Sequence, residues 1–400
     1  MDRNSLPGWV NRTIDYVADH PASILGKVAA RRMGKPAPYG TVGTTTFDQK
    51  PTRLLIAPVN YSGQATAWAR ALERADESVS ARSMAIEVPG GFSFATDLEV
   101  PVGTYHNDPD WQRRQLAAAA SATHTLIEAG EPPFGRLFDR SVRAQADALQ
   151  QLGVAIAHMS HGTDARLPSR HAETSEWSYY RDPSVYLPRL ESLAQRNIDY
   201  LVESNTPVFV STPDLLLDLP GATWCPVVVD PNRWAAPREH ARRNGPLRVV
   251  HAPSNPVLKG TPLIMPMLER LEAAGVIDLR LITGIPSAEM PKVLAEADVL
   301  LDQFRLGSYG VAACEAMASG CVVIGQVATE TRELVLQLGG NELPIVEADP
   351  STLESVLRDL ASMPSLEHLS STGIGFVNDV HDGRRSSDAL LTNFLTRGAQ

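Results

Sequence analysis

The sequence predicts an α/β protein with two domains, each built around a parallel sheet, and three observations support this fold class. Short apolar strands alternate with helical segments in both halves of the chain, an order that implies parallel sheets. The 400 residues exceed one typical domain, which has about 100–200 residues. Glycine-containing loops follow several strands, at the edge where ligands of open α/β sheets bind.

Composition and charge argue against several classes of protein. A formal net charge of −10 argues against a nucleic-acid partner recognised by bulk electrostatics. Cys225, Cys314 and Cys321 have neither metal-site spacing nor a disulfide framework, so we expect free thiols in a reducing compartment. No apolar run approaches the roughly 20 residues that span a bilayer, and the start lacks the apolar segment of a signal peptide. We expect a cytoplasmic protein, with a place at the inner membrane face left open.

Residues 1–50 predict an extension ahead of the first strand. Residues 9–18 have the pattern of an amphipathic helix, and a basic cluster follows them, formed by Lys27, Arg31, Arg32 and Lys35. Such a cluster can make a peripheral membrane contact, but a solvated helix face has the same composition and is the commoner case.

The first strand is predicted at 53–59, where apolar residues run almost without interruption. A loop containing Gly63 leads from it into a helix at 65–74. This order places Gly63 at a carboxyl-edge ligand site, with a plain tight turn as the alternative. Helices are predicted to follow at 111–129 and 134–152.

A strand at 154–159 runs into a polar loop with candidates for acceptor-side chemistry. His161 follows the strand directly, and Asp164 and Arg166 add a carboxylate and a guanidinium. Because an arginine fork suits phosphate or carboxylate, Arg166 and Arg170 are candidates for holding a charged acceptor group. A histidine bonded only within its own turn is the alternative.

No metal site is predicted. Asp108 and Asp110 flank a proline in a pattern similar to the Asp-X-Asp metal motif. No apolar strand precedes them, and the proline favours a turn. The sequence also lacks the His and Cys spacing of metal sites.

The C-terminal half begins with a strand predicted at 247–251. Lys259 and Gly260 stand just before a helix that begins near Thr261. Backbone N–H groups, the helix dipole and a lysine charge converge at such a position, which suits a phosphate. A second strand ends at Gly284, whose loop is expected to form another wall of the same pocket.

Residues 307–325, GSYGVAACEAMASGCVVIG, contain the other main candidate, Glu315. A strand at 297–301 precedes them and a glycine-containing turn follows. Glu315 is expected in the first turn of the next helix, at the carboxyl edge of the strands. A capping glutamate on an ordinary buried helix is the alternative.

These residues resemble the donor-binding half of the family 4 glycosyltransferases, which share the two-lobed GT-B fold. The family motif has two glutamates separated by seven residues, with a Gly-aromatic-Gly stretch between them. Glu315 matches the second glutamate, and Ser308, Tyr309 and Gly310 match the stretch, with serine in its first position. The motif resemblance covers residues 247–330.

Two positions depart from the family motif. Gly307 stands where the first glutamate would be, and Ser254 stands where the family often has an arginine. Since glycine has no side chain to bind sugar hydroxyls, the sugar would be held by N–H groups of 308–310, or by Asp302 or Gln303. The departures keep a rival open, a catalytically weak or inactive GT-B protein that binds a nucleotide sugar or partners another glycosyltransferase.

The resemblance implies transfer of a hexose-like sugar from a nucleotide sugar to a glycan, a lipid-linked molecule or a small molecule, with retention and without a metal. It implies that Lys259 neutralises the leaving diphosphate and that His161 faces the donor sugar. The residues expected to bind the donor are Gly63, Gly284, Ser308, Tyr309, Gly310, Val311 and Glu315. Those expected on the acceptor side are Asp164 and Arg166.

The resemblance also implies an arrangement of domains. We expect an extension (1–50), an N-terminal Rossmann-like acceptor domain (51–235), a C-terminal Rossmann-like donor domain (236–375) and a terminal helix that crosses back (376–400). The last strands of the first domain are expected at 207–211 and 224–230, ahead of a linker rich in proline and arginine at 235–246.

Overall fold

The computed structural model describes residues 3–91, 94–235 and 245–396, and most of the predicted linker at 235–246 lies outside them. The strands of the first sheet are β1 (Thr52–Ala57), β2 (Val79–Glu87), β3 (Leu98–Pro101), β4 (His124–Glu128), β5 (Ala155–Ser160), β6 (Val208–Val210) and β7 (Thr223–Trp224). Those of the second are β8 (Leu247–His251), β9 (Ile277–Leu281), β10 (Val299–Leu301), β11 (Val322–Gly325) and β12 (Val346–Glu347).

The α-helices of the described residues surround these sheets. They are α1 (Gly8–Asp19), α2 (Ile24–Arg31), α3 (Gln64–Ala75), α4 (Val102–Asn107), α5 (Pro109–Ala119), α6 (Val142–Gln151), α7 (Pro168–Thr174), α8 (Leu187–Glu203), α9 (Pro231–Trp234), α10 (Pro256–Lys259), α11 (Thr261–Ala273), α12 (Met290–Glu296), α13 (Val311–Ala318), α14 (Thr329–Gly339), α15 (Leu353–Ser362), α16 (Glu367–Phe376) and α17 (Arg384–Leu390). Val377–His381 and Leu391–Leu395 are π-helical turns.

All strand pairs in both sheets are parallel, as the alternation of strands and helices predicts. The first sheet has the order β3-β2-β1-β4-β5-β6-β7, and the second has the order β12-β11-β10-β8-β9. The order reverses between β1 and β4 in the first sheet, and between β8 and β10 in the second. Open α/β sheets bind ligands in the crevice at such a reversal.

The middle of the first domain differs from the prediction. The predicted helix at 111–129 stops at Ala119, and its last part is the strand β4, which is buried along its whole length. Alanines before β4 continue a helical pattern, but pairing with β1 and β5 on both sides favours the strand. β2 and β3 were not predicted at all.

Two further predicted elements are shorter in the structure. The helix expected at 134–152 begins only at Val142, after loops with left-handed residues at Phe138 and Asp139. The strand expected at 224–230 ends at Trp224, because Pro226 has no N–H group with which to continue the ladder.

The C-terminal segment crosses back onto the first domain, as predicted. α17 packs against α3, and Leu390 joins the core formed by Leu54 and Trp68. A Cβ at Gly383 would lie 2.9 Å from the Ala71 side chain, so only glycine permits this close approach.

The N-terminal extension forms two helices, α1 and α2. The body of the protein holds α2 through Asn107, whose Nδ2 donates to the Ala30 carbonyl at 2.8 Å. Ile24 is 82% exposed on the outer face of α2, beside the basic cluster. Across the described ranges, no helix is both long and apolar enough to pass through a membrane.

Candidate functional site

A cavity of about 700 Å³ lies between the two sheets. The loops after β1, β4 and β5 line it from the first domain, and the loops after β8, β9 and β10 line it from the second. It therefore sits at the carboxyl edge of both sheets, at both reversals of strand order.

The cavity brings together most of the residues singled out from the sequence. Those that line it are His161, Asp164, Arg166, Lys259, Gly284, Ser308, Tyr309, Gly310, Val311 and Glu315. Gly63 is not among the lining residues, although its neighbours Tyr61 and Ser62 are. Gly63 instead is the N-cap residue just before α3, with φ at +75°, a left-handed conformation that glycine adopts readily.

His161 is held by a glutamate from the neighbouring strand. Its Nε2 lies 3.1 Å from Oε1 of Glu128, the last residue of β4, which is fully buried. The imidazole also stacks on Trp68 and meets the edge of Tyr61. Burial raises the pKa of Glu128, and the hydrogen bond from His161 opposes this rise.

This arrangement fixes which ring nitrogen of His161 is available. Because Nε2 is engaged by Glu128, Nδ1 is the nitrogen left for a ligand in the cavity. The sequence did not reveal Glu128 because β4 was assigned to a helix. The sequence did contain one signal for this residue. Glu128 is a carboxylate at the end of an apolar run, just before Ala129 and Gly130.

Asp164 folds the loop that carries His161. Its Oδ1 accepts from the N–H of His161 at 3.0 Å and from the N–H of Gly162 at 2.7 Å. One carboxylate oxygen is therefore used within the loop, while the side chain borders the cavity.

Arg166 lines the cavity, but a carboxylate of the first domain already binds its guanidinium group. It is buried, and its Nε and Nη2 donate to Oδ2 of Asp214 at 3.1 and 2.5 Å. Although burial opposes ionisation, Arg166 and the Ser308 hydroxyl hold the pKa of Asp214 below its usual value. Arg170 is likewise bonded to Asp218.

The same network joins the two domains. The Ser308 hydroxyl, from the loop after β10, donates to the carboxylate of Asp214 in the first domain. Nearby, Nη1 of Arg305 lies 2.7 Å from Oδ2 of Asp182. His171 Nε2 also bonds the Leu306 carbonyl at 3.0 Å. These contacts fix the loop after β10 against the first domain.

Lys259 borders the cavity from the second domain. Its Nζ lies 2.6 Å from Oδ1 of Asp302, the residue directly after β10. The side chain of Lys259 is 17% exposed and that of Asp302 is 3% exposed. The buried carboxylate thus holds the ammonium group at the cavity wall.

Glu315 lies one turn later in its helix than predicted, since α13 begins at Val311. It borders the cavity, and none of the described residues hydrogen-bonds its carboxyl group. Burial raises the pKa of Glu315 to about 7, opposed by the charge of Arg233. A carboxyl group in this state can accept hydrogen bonds from a ligand.

The backbone explains why a glycine, Gly307, stands where the motif of the resembled family has its first glutamate. Gly307 has φ at +63° and does not line the cavity, and a Cβ there would lie 3.2 Å from that of Ala328. The two proposed substitutes are both engaged. Asp302 bonds Lys259, while Gln303 donates to the Ser308 carbonyl and accepts from the Leu306 N–H.

The hydroxyl of Tyr309 contacts a histidine of the C-terminal segment. It lies 3.2 Å from Nε2 of His381, and both side chains are buried. Tyr309 therefore contributes to the packing between α13 and the C-terminal segment as well as to the cavity wall.

The Asp108-Pro109-Asp110 segment is a helix cap. Oδ1 of Asp108 accepts from the N–H groups of Asp110 and Trp111 at the start of α5. In the portion of the chain that the structure describes, no group of three or more His, Cys, Asp or Glu side chains is arranged to hold a metal.

Solved structures similar to this chain include two synthases and a protein in complex with UDP and glucose. Sucrose-phosphate synthase from Thermosynechococcus elongatus is 12% identical with a TM-score of 0.57, covering 86% of this chain and 98% of that chain. HepE from Anabaena, in complex with UDP and glucose, is 9% identical with a TM-score of 0.54, covering 85% and 98%. An α,α-trehalose-phosphate synthase (UDP-forming) from Burkholderia vietnamiensis is 12% identical with a TM-score of 0.52, covering 85% and 99%.

These neighbours have the GT-B fold, and so does this chain, as its sequence predicts. Two parallel α/β sheets with a cavity between them are the features that they share. No protein-family model matches the chain, and no curated protein sequence does.

Proposed function

We propose that this protein is a glycosyltransferase that moves a sugar from a nucleotide-diphosphate sugar to an acceptor in the same cleft. The observation that carries the proposal is the shared cavity, which places Lys259 and Glu315 across from His161. A cation, a hydrogen-bond acceptor and an imidazole at the ends of parallel strands suit a phosphorylated, hydroxyl-rich ligand.

Lys259 is assigned to the leaving diphosphate. Negative charge develops on this group as the bond to the sugar breaks, and a positioned ammonium group stabilises that charge. Asp302 keeps Lys259 at the wall through the 2.6 Å contact. The N–H groups near Gly310 and Val311, at the start of α13, are assigned to the remaining phosphate oxygens.

Glu315 is assigned to the ribose hydroxyls and His161 to the transferred sugar. Hydroxyl donors favour the ionised form of a carboxyl group, so nucleotide binding would lower the pKa of Glu315 from its value of about 7. Glu128 is a positioning residue, since it touches His161 and lies behind it.

The neighbours suggest which donor to test first. HepE is in complex with UDP and glucose, and the trehalose-phosphate synthase is UDP-forming. We therefore include UDP-glucose as the first candidate donor. The shared fold and the cavity support this choice.

Retention of configuration and independence from metal are further parts of the proposal, supported by the motif resemblance in residues 247–330. The anomeric proton coupling of the glycoside product, read by NMR, tests retention. Turnover measured with and without EDTA tests independence from metal.

The extension supports a peripheral membrane contact as a further part of the proposal. Ile24, Leu25 and Val28 are exposed on α2, beside Lys27 and Arg31. Exposed apolar residues with basic neighbours suit an anionic bilayer surface. Co-sedimentation with phosphatidylglycerol vesicles, compared with phosphatidylcholine vesicles, tests this contact.

A screen of nucleotide sugars tests the central proposal. Each donor is assayed for thermal stabilisation and for turnover, including slow hydrolysis without an acceptor. Turnover of one donor supports the enzyme. Stabilisation without turnover supports the rival, a GT-B protein that only binds a nucleotide sugar, and the absence of both rejects the donor site.

A further inference from the structure

The first-domain wall of the cavity indicates the charge of the acceptor. We propose that the acceptor is an uncharged or cationic hydroxyl compound with an apolar face, and that phosphorylated and carboxylated acceptors are rejected. The inference rests on the proposed glycosyltransfer and adds the chemical class of the second substrate.

Carboxylates set the electrostatic character of this wall. Glu131 and Asp164 line the cavity, and Glu128 lies behind His161. Their effect is visible at Tyr61, whose pKa is raised to about 12 by burial first and then by these three charges. No described cation opposes the rise.

The cations of this side are engaged by carboxylates. Arg166 is the one arginine among the described residues that line the cavity, and Asp214 binds it in the protein interior. Arg140 lies 2.9 Å from Glu131. An anionic acceptor would have to displace one of these carboxylates or remain without a counter-ion, and both are unfavourable.

Charge is therefore divided across the cavity. Lys259 lies on the opposite wall, with the N-terminus of α13, where the diphosphate is proposed to bind. Once that cation is used by the donor, no described cation of the cavity is left for a second anion.

The remaining surface of this wall is apolar. The Tyr61 ring borders the cavity, and Phe94 packs beside the same loop, near Gly63. Leu190 and Leu193 of α8 complete the wall and are half-buried. Aromatic and aliphatic faces of this kind stack on sugar rings or aryl groups.

The test measures binding of charge-matched probes to the protein saturated with UDP, or with GDP or ADP where UDP does not bind. One series is glucose, glucosamine and glucose 6-phosphate. The other is 4-hydroxybenzyl alcohol, tyramine and 4-hydroxybenzoate. We expect the anionic member of each series to bind at least tenfold more weakly than the others.

Two substitutions, Glu131→Lys and Glu131→Gln, test whether the charge of Glu131 causes the weaker binding of anionic probes. Glu131→Lys should remove or reverse the discrimination, Glu131→Gln should reduce it, and Glu99→Lys on the exposed part of β3 should leave it unchanged. Thermal unfolding and nucleotide affinity report whether each variant is folded.

Three results overturn the acceptor assignment. They are tighter binding of an anionic probe, no change on Glu131→Lys in a folded protein, and no binding of any probe to the nucleotide-loaded protein. In each of these cases nucleotide binding still stands. Failure of all nucleotides to bind is a separate result, which rejects the proposed glycosyltransfer and the acceptor assignment with it.

Discussion

The two walls of the cavity are built in different ways. The second-domain wall takes its main groups from short continuous segments: Lys259 from the short helix α10 after β8, and Glu315 from the helix α13 after β10. The first-domain wall is assembled from separate strands, since Glu128 ends β4 and His161 follows β5. The second wall offers a cation and N–H groups, whereas the first offers carboxylates and aromatic rings.

The proposed roles of the two walls follow from this difference. Cations and backbone N–H groups stabilise a diphosphate without requiring one fixed orientation. Residues from a short continuous segment are therefore sufficient to form such a site. An imidazole needs a fixed orientation, and here a buried carboxylate from another strand supplies it. If the comparison is correct, substitutions in the second wall should affect the donor, and substitutions in the first should affect the sugar and the acceptor.

The largest effect is expected for Lys259→Ala. Loss of the cation should lower kcat/KM by on the order of 10²-fold or more, as loss of one group that stabilises developing charge does. Steady-state kinetics with the donor found by the screen measure it. A kcat/KM equal to that of the wild type would reject the role.

The control for Lys259→Ala must allow for its ion pair. The substitution leaves Asp302, which is 3% exposed, without its partner, so we expect some loss of stability. Lys259→Ala/Asp302→Asn should recover stability but not activity. Lys292→Ala, an exposed lysine of α12, should change neither.

The next effect is expected for Glu128→Gln in the first wall. A misplaced imidazole should lower kcat by about 10²-fold while nucleotide affinity is retained. Single-turnover kinetics and UDP titrations separate these two quantities. Weaker UDP binding with an unchanged kcat would assign Glu128 to the donor instead, and Glu99→Gln is the exposed control.

Glu128→Gln should also change the pH dependence of stability. Because the pKa of Glu128 is raised on folding, its contribution is present at low pH and is lost as pH rises through the folded-state pKa. Glutamine does not ionise, so the variant should lose less stability than the wild type as pH rises above the ordinary glutamate pKa of about 4.3. Chemical unfolding at a series of pH values above this pKa measures the difference.

A smaller effect is expected for Glu315. Below about pH 7 its carboxyl group is largely protonated in the free protein, and ribose hydroxyls favour the ionised form. Nucleotide binding near pH 6.5 should therefore release protons, which calorimetry in phosphate and imidazole buffers detects.

Glu315→Gln should abolish this proton release and weaken nucleotide binding about tenfold, as loss of a hydrogen bond to a charged group does. Glu333→Gln, at an exposed position of α14, should leave both unchanged. Proton release that persists in Glu315→Gln would place the titrating group elsewhere in the cavity.

The smallest effect is expected for Ser254→Arg. This substitution introduces the arginine that the family 4 glycosyltransferases, which the motif resembles, often have at this position. Ser254 is exposed and lines the cavity, so an arginine there can approach the diphosphate. We expect nucleotide affinity to rise by about three- to tenfold, as one added surface charge does, and to fall again with salt. Ser371→Arg, on α16, is the charge-matched control, and equal gains in both variants would contradict a specific site.

The sequence predicted the second domain well because its evidence is local. The strands expected at 247–251 and 297–301 are present as β8 and β10, and the helices that follow, α10 and α13, carry Lys259 and Glu315 to the cavity. Apolar runs bounded by glycine and proline were sufficient for this result.

The first domain was predicted less well because its interactions are distant in sequence. β4 followed an alanine-rich helix without a strong break, so Glu128 was missed as the partner of His161. Arg166 was expected to bind a ligand, and only the folded chain shows Asp214, 48 residues away, beside it. Periodicity cannot reveal a pair of this kind.

The turn between β10 and α13 is part of the second domain but is also bonded to the first domain. Its residues border the cavity, yet Ser308 and Arg305 tie it to Asp214 and Asp182. A ligand that displaces this turn must also pull on the first domain, so occupancy of the turn and the angle between the lobes share one coupling free energy. By the same reciprocity, a change in the angle between the lobes must alter the affinity of the turn for its ligand by the same factor.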